Sequence, residues 1–410
     1  MSIQGKPLRD IAELKDSLHQ TPEYAEEGVP MVRVTDIRRG FLDLSAAKRV
    51  DEATYRAFTK NYAPKAGDIL FSRVGSYGNS CFVDRNERFC LGQNTVCISP
   101  LTECVDPFYL YCCLNADIVR NQIEAMVGGA SQPTISLKSI STLTIPCPER
   151  STQSRIASIL SAYDDLIENN TRRIKILEDM AQMLYREWFV NFRFPGHQKV
   201  KMVESELGPI PKGWHPKRLG DLCSDVRRGV LPSDVDVDTP YIGLEHLPRR
   251  SIALNEWGRA GDVGSTKLRF KRGEILFGKI RPYFHKVGVA PVDGVASSDA
   301  IVIVPNDPAY FGPVLCCVSS EDFVRHATQT SQGTKMPRAN WDVLTKYPLP
   351  LPDTALLGQF NGTIQPTVEM LQNLVFRNRN LCTTRDLLLP KLISGEIPVD
   401  AAAELVEQTA

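Results

Sequence analysis

Residues 153–188 read QSRIASILSAYDDLIENNTRRIKILEDMAQMLYREW. Within them Ile156, Leu160, Tyr163, Ile167, Asn170, Ile174, Leu177, Ala181, Leu184 and Trp188 follow one another in alternating steps of four and three. That is a heptad seam, the pattern of a helix whose apolar stripe is covered by another helix. Neither Gly nor Pro interrupts residues 149–194. At 1.5 Å per residue, about 35 residues make a rod of roughly 50 Å. Asn170 is the one clearly polar member of the seam. A single polar residue at such a position commonly fixes register or partner number, at some cost in stability.

A second seam follows near the C-terminus. Leu357, Phe360, Ile364, Thr367, Leu371, Leu374, Asn378, Leu381, Arg385, Leu388 and Leu392 step by three and four, again with an Asn near the middle. Pro366, with Gly362 nearby, is out of place in a helix interior and predicts either a helix start or a kink there. Two matching seams each need cover, so the economical arrangement pairs the two helices. A chain that returns through a whole intervening domain can lay them antiparallel, with the globular parts at opposite ends of the rod. The alternative is that each helix packs on its own domain.

The chain also repeats itself. Gly67-Asp68-Ile69-Leu70-Phe71 recurs 206 residues later as Gly273-Glu274-Ile275-Leu276-Phe277. Asp106-Pro107, Cys112-Cys113, Arg120, Gly129 and Pro133 are matched by Asp307-Pro308, Cys316-Cys317, Arg325, Gly333 and Pro337. A period near half the chain is too long for a solenoid. It reads as two related α+β domains, each followed by a long helix, and two similar surfaces held apart by a spacer suit two half-sites. In the first copy Asp68–Ser72, Ser80–Val83 and Thr95–Ile98 read as strands, residues 107–126 as one helix, and Leu143–Ile145 as a last strand.

Composition bounds the function. Of 410 residues, 48 are basic and 48 acidic, which weighs against binding nucleic acid by bulk charge alone. The distribution says more: Lys267, Arg269, Lys271, Arg272, Lys279, Arg281 and Lys286 face only Glu274 within their stretch. A solvated strand face would read the same way. No long apolar run and no secretory signature occur, so a cytoplasmic protein is expected. Eleven cysteines, an odd number with two adjacent pairs and no C-x-x-C, predict reduced, mostly buried thiols. Cys81, Cys90, Cys97 and Cys104 are spaced for strands rather than for a metal, and no metal site is expected.

Catalytic signatures fail one by one. There is no phosphate-binding loop, no G-x-G-x-x-G after a strand, no H-E-x-x-H and no G-x-S-x-G elbow. Asp164 and Asp165 read as solvated carboxylates on the long helix, and His285 as a surface or base-contacting side chain. What remains are matched polar loops. Arg73, Tyr77 and Asn79 follow the first Ile-Leu-Phe strand; Lys279, Arg281, Tyr283, His285 and Lys286 follow the second. Gln132 and Lys138, with Lys335 and Arg338, form a second matched set. Arg reads guanine bidentately, Asn and Gln read adenine, and Lys finds phosphate, so these are the candidate DNA contacts. The plain alternative is an exposed hairpin turn. Different residues at matched places would let each copy read its own sequence.

Between the first seam and the second copy lie Trp188-Phe189, Phe192-Arg193-Phe194-Pro195-Gly196 and Ser205-Glu206-Leu207-Gly208-Pro209-Ile210-Pro211-Lys212-Gly213-Trp214. With Ser-Gln-Pro-Thr-Ile-Ser at 131–136 and Leu389-Pro390-Lys391-Leu392-Ile393-Ser394-Gly395-Glu396-Ile397, this junction resembles the specificity subunit of a type I restriction-modification system over nearly the full length. The resemblance implies target recognition domains at 1–148 and 215–352. It implies a central long helix at 149–194, a linker at 195–214, a distal long helix at 353–397 and a tail at 398–410. The helices would form an antiparallel coiled coil, with Asn170 and Asn378 setting its register. It implies a non-catalytic reader of a bipartite, asymmetric double-stranded DNA target. Two modification subunits would bind S-adenosylmethionine and methylate adenine, and restriction subunits would use ATP and Mg for cleavage. None of these cofactors would belong to this chain. The competing readings are a scaffold that does not touch DNA, and a stand-alone methyltransferase or nuclease with an unfamiliar site.

Overall fold

A computed structural model describes residues 5–128, 133–262 and 264–400. The chain is mixed α/β with two long helices and divides into two compact units. The first comprises Met1–Glu168 with Asn380–Ala410, the second Asn169–Arg379.

The repeated Gly-acid-Ile-Leu-Phe string is a turn followed by a strand. Gly67 and Gly273 take left-handed φ values of 91° and 86°, which glycine adopts without steric cost. The acid then closes the turn: Lys65 N donates to Asp68 Oδ2 at 2.8 Å, and Lys271 N to Glu274 Oε2 at 2.9 Å. Strand Ile69–Ser72 lies between Thr95–Pro100 and Ser80–Phe82, with Ala12–Asp16 on the outer side of Thr95–Pro100. In the second unit Ile275–Gly278 lies between Ala300–Pro305 and Val287–Val289, with Cys223–Asp225 outermost. Both are four-stranded antiparallel sheets in the same register: Ile69 faces Ile98, and Ile275 faces Ile303. Each unit also pairs two strands in parallel, Val29–Val32 with Cys90–Leu91 and Pro240–Ile242 with Gly294–Ala296.

The repeated Asp-Pro is a helix start. Asp106 Oδ1 accepts from the backbone N–H of Phe108 and Tyr109, and Asp307 Oδ1 from that of Ala309. The following proline sits where a missing N–H costs nothing. The single helix predicted over 107–126 is two, Pro107–Asn115 and Asp117–Met126. Asn115 Nδ2 donates back to Tyr111 O at 2.9 Å and across to Ser80 Oγ at 2.8 Å, while Ala116 takes an extended backbone. An Asn that bonds its own helix end competes with continuation.

The central long helix runs Arg150–Tyr185 and passes into a π-helical turn at Arg186–Val190. The distal long helix runs Thr354–Ser394. It runs through Pro366, so of the two expectations there the helix start is not met. Proline frees the carbonyl four residues back, which here belongs to Gly362. Both residues are exposed, and nothing crowds Gly362, so water can take that carbonyl. Within the second unit, Asn170 Nδ2 donates to Asn378 Oδ1 at 2.9 Å, while Tyr185, Trp188 and Phe189 pack around Phe360. The paired segments therefore run in opposite directions. In the first unit the buried Asp164 and Arg385 form an ion pair, and Arg155 reaches Asp400. Asp165 is exposed as expected, but Asp164 is not a solvated carboxylate. Burial pushes its pKa up, and Arg385 pulls it back.

The aromatic linker docks rather than dangles. Trp214 packs against Phe189, Phe192 and Phe194, and Phe189 stacks on Tyr185, all within the second unit. All eleven cysteines are free thiols, eight of them buried. Burial alone raises Cys81 to about 12. Among the described residues no cluster of His, Cys, Asp or Glu could hold a metal, and no helix is long and apolar enough to cross a membrane.

Candidate nucleic-acid interface

In each unit the loop after the Ile-Leu-Phe strand is stitched to the loop that precedes the next short helix. In the first, Arg73 N donates to Asn94 O (2.9 Å), Ile135 N to Arg73 O (3.0 Å) and Gly75 N to Pro133 O (3.2 Å). In the second, Lys279 N donates to Asp299 O (3.0 Å), Ala339 N to Lys279 O (2.8 Å) and Arg281 N to Pro337 O (2.7 Å). Thr134 bridges Val74 and Gly128, just as Arg338 bridges Ile280 and Gln332. The segments that carry the predicted polar residues are therefore joined by one hydrogen-bonding scheme in both units, as far as the described residues go.

The side chains on that scheme differ. Arg73 is only partly exposed: its Nη1 sits 3.1 Å from both oxygens of Asp16, and its Nε donates to Ile135 O at 3.3 Å. Tyr77 is half-buried against the apolar core, and Asn79 is half-buried. Lys138 is exposed on the helix Leu137–Ser141. Gln132 lies outside the described residues. In the second unit Lys279 Nζ donates to Ser298 O at 2.5 Å and lies 3.9 Å from Asp299, which also meets Arg338 at 3.8 Å. Lys335 and Tyr283 are exposed.

Two expectations change. His285 is not a surface residue; it is 6% exposed, with Nε2 2.8 Å from Ser319 O. Burial holds its pKa below the usual value, against the opposing pull of Ser319 and Glu321. Lys286 is half-buried, with Nζ bonded to Leu244 O and its pKa lowered by burial. The basic run is also less uniform than its letters. Lys267 is buried, its amine held by Ser265, and Glu274 is taken by Arg228 at 2.8 and 2.9 Å.

Three residues escaped the sequence reading. Asp16 and Asp299 neutralise the predicted cations from neighbouring strand ends, a pairing that no local pattern announces. Arg249 lies 4.1 Å over the ring of Phe284 in the polar loop of the second unit. The one signal for it was the tandem Arg249-Arg250 after Pro248.

Glu178 links the central helix to this region. Its Oε1 accepts from Ser251 Oγ at 2.6 Å, Ile252 N at 2.8 Å and Ala253 N at 3.1 Å. The neighbouring Arg250 N donates to His285 O at 2.9 Å. A continuous chain of bonds thus runs from the helix to the base of the loop.

Known proteins resemble this chain in sequence and fold. Residues 3–179 match the family described as type I restriction modification DNA specificity domain. The type I restriction enzyme MjaIX specificity subunit of Methanocaldococcus jannaschii is 27% identical, over 96% of this chain and 93% of its own length. The HindI specificity subunit of Haemophilus influenzae is 22% identical, over 82% and 87%. The crystal structure of the S subunit of a type I restriction-modification system from M. genitalium has the same fold. Its TM-score is 0.55 at 17% identity, over 95% of both chains. The first part of the chain thus matches the specificity-domain family, and nearly its whole length is similar to named type I restriction enzyme specificity subunits.

Proposed function

We propose that this chain is the non-catalytic DNA-reading subunit of a type I restriction-modification complex. Each unit would read one half of a bipartite, asymmetric target. The two long helices, paired as an antiparallel coiled coil, would set the gap and dock two modification subunits for adenine methylation. S-adenosylmethionine would be bound by those subunits, and ATP and Mg by restriction subunits.

The observation that carries this reading is the reuse of one hydrogen-bonded loop scheme for different side chains. A shared set of backbone hydrogen bonds would let both units approach the duplex alike, while unlike side chains would select unlike bases. Three of the cations, Arg73, Lys279 and Arg338, already have carboxylate neighbours within the chain. With zero net charge besides, much of the phosphate grip would fall to the partners.

The test is reconstitution. The chain alone should transfer no methyl group to DNA. With its modification subunit and S-adenosylmethionine, adenines within one bipartite sequence should be methylated. Sequence-specific methylation by the isolated chain would overturn the reading, as would a modification subunit that methylates the same sequence without it.

A further inference from the structure

The two loops share their closing hydrogen bonds, although the second is one residue longer and carries a 3-10 turn at Pro282–Phe284, and they differ in the residues at their left-handed positions. In the first unit these are Gly75 (φ 71°) and Gly78 (φ 76°); in the second they are Arg281 (φ 48°) and His285 (φ 52°). Hydrogen bonds establish the correspondence. Gly75 N and Arg281 N donate to the matched carbonyls of Pro133 and Pro337. Gly78 precedes Asn79, whose carbonyl accepts from Ser72 N; His285 precedes Lys286, whose carbonyl accepts from Gly278 N.

Glycine takes this conformation freely, whereas a residue with a Cβ is strained in it. The second unit therefore keeps Arg and His where glycine is the relaxed choice. Strain of this kind persists where the surroundings hold it, and it clusters at functional sites. A third such residue, Arg250 (φ 57°), is bonded through its N–H to His285 O.

The side chains indicate what the strain retains. His285 reaches inward to Ser319 O at 2.8 Å and closes the base of the loop. Arg281 has its Nε buried without a hydrogen-bond partner among the described residues, and its guanidinium carbon lies 5.9 Å from the Phe284 ring centroid. Arg249 covers the same ring, and Tyr283 beside it is 48% exposed. A half-exposed arginine on an aromatic-backed turn is equipped for bidentate contact with guanine through its terminal nitrogens, the buried Nε taking no part in it.

We propose that Arg281 is the base-reading residue of the second unit, selecting a guanine in one half-site, and that His285 is its positioning residue. The proposal rests on the DNA-reading function above and assigns part of it to two side chains.

The complex with the modification subunit is used to select from a randomised double-stranded DNA library, and the bound sequences are read. Arg281→Gly removes the side chain and the strain together; Arg281→Ala removes the side chain and leaves the strain. Both variants should lose a guanine preference at one position of one half-site, with roughly tenfold to hundredfold weaker binding to the selected site. The other half-site should be unchanged, and Arg281→Gly should unfold at a higher temperature than Arg281→Ala. His285→Gly should blur the same half-site, and His285→Asn, which tolerates the left-handed backbone, should recover part of it. An unchanged selection by Arg281→Gly, or an equal loss at both half-sites, overturns the assignment of Arg281. Undiminished preference in His285→Gly overturns that of His285. If the unmodified complex selects no sequence at all, the DNA-reading function itself fails, an outcome distinct from these.

Discussion

Replacing Glu178 with Ala tests whether the central helix holds the polar loop of the second unit in place. The side chain is 7% exposed, and a single oxygen takes three donors. Of these, Ser251 Oγ can turn to water, and Ala253 N keeps a second acceptor in Ser251 Oγ at 3.2 Å. Ile252 N is the donor left without a partner. A hydrogen bond to a charged acceptor contributes about 1.5–3 kcal/mol, and residues 251–253 are only half-buried, so the local loss is about 2 kcal/mol. That corresponds to roughly 30-fold more frequent opening. Glu178→Gln keeps an acceptor oxygen. Because burial already pushes the Glu178 carboxyl up, a neutral replacement should cost only about 1 kcal/mol, or roughly fivefold. Hydrogen exchange of the Ile252 and Ala253 amides reads this directly. The Arg250 amide, bonded to His285 O, reports whether the loosening reaches the loop. Unchanged exchange in Glu178→Ala, or equal acceleration by Gln and Ala, would refute the argument.

Two further outcomes are expected. His285 is held below its usual pKa in the fold, facing Ser319 O, Glu321 at 3.6 Å and Arg250. The unfolded chain therefore binds the proton first as pH falls. The contribution of His285 is fully present above about pH 6.5 and declines below it until the folded-state pKa is reached. The melting temperature of the unmodified chain should fall relative to His285→Gln between pH 7.5 and 5; a flat difference curve would contradict this. Deleting seven mutually facing residues from each long helix should shorten the proposed spacer by roughly 10 Å. The preferred gap between half-sites should then shrink by about three base pairs; an unaltered gap would show that the helices do not set it.

The helix pairing was legible because periodicity is itself a consequence of contact. Asn170 and Asn378 stand out as polar members of apolar seams, and they bond each other. Asp164 was misread because its partner, Arg385, is 221 residues away and nothing near Asp164 announces burial. That the distal helix does not start at Pro366 was not legible, because a proline penalty depends on whether the freed carbonyl is buried, which the local sequence does not reveal. The break at Ala116 turns on an Asn115 side chain whose cross-contact, Ser80, lies in another element. For the reading loops, the positions of the cations were legible, but not the acids that hold them.

The strings that revealed the duplication and the residues proposed to read DNA obey different physics. Gly67 and Gly273, Asp68 and Glu274, and Asp106 and Asp307 recur because each closes a turn or caps a helix, and few residue types can do that. The loops they frame are built from backbone bonds, which accept any side chain that fits the local φ. That leaves the occupants free to diverge, except at left-handed positions, where glycine is the relaxed choice. The first unit takes it at Gly75 and Gly78, and the second does not. A departure from the relaxed residue at a matched backbone position is thus more informative than the charge of the loop. Lys267 shows how a basic letter can turn out to be an internal bond to Ser265. Arg281 carries two signals, a strained backbone and a half-exposed guanidinium beside the Phe284 ring, and it is where the proposed second half-site should be most sensitive to substitution.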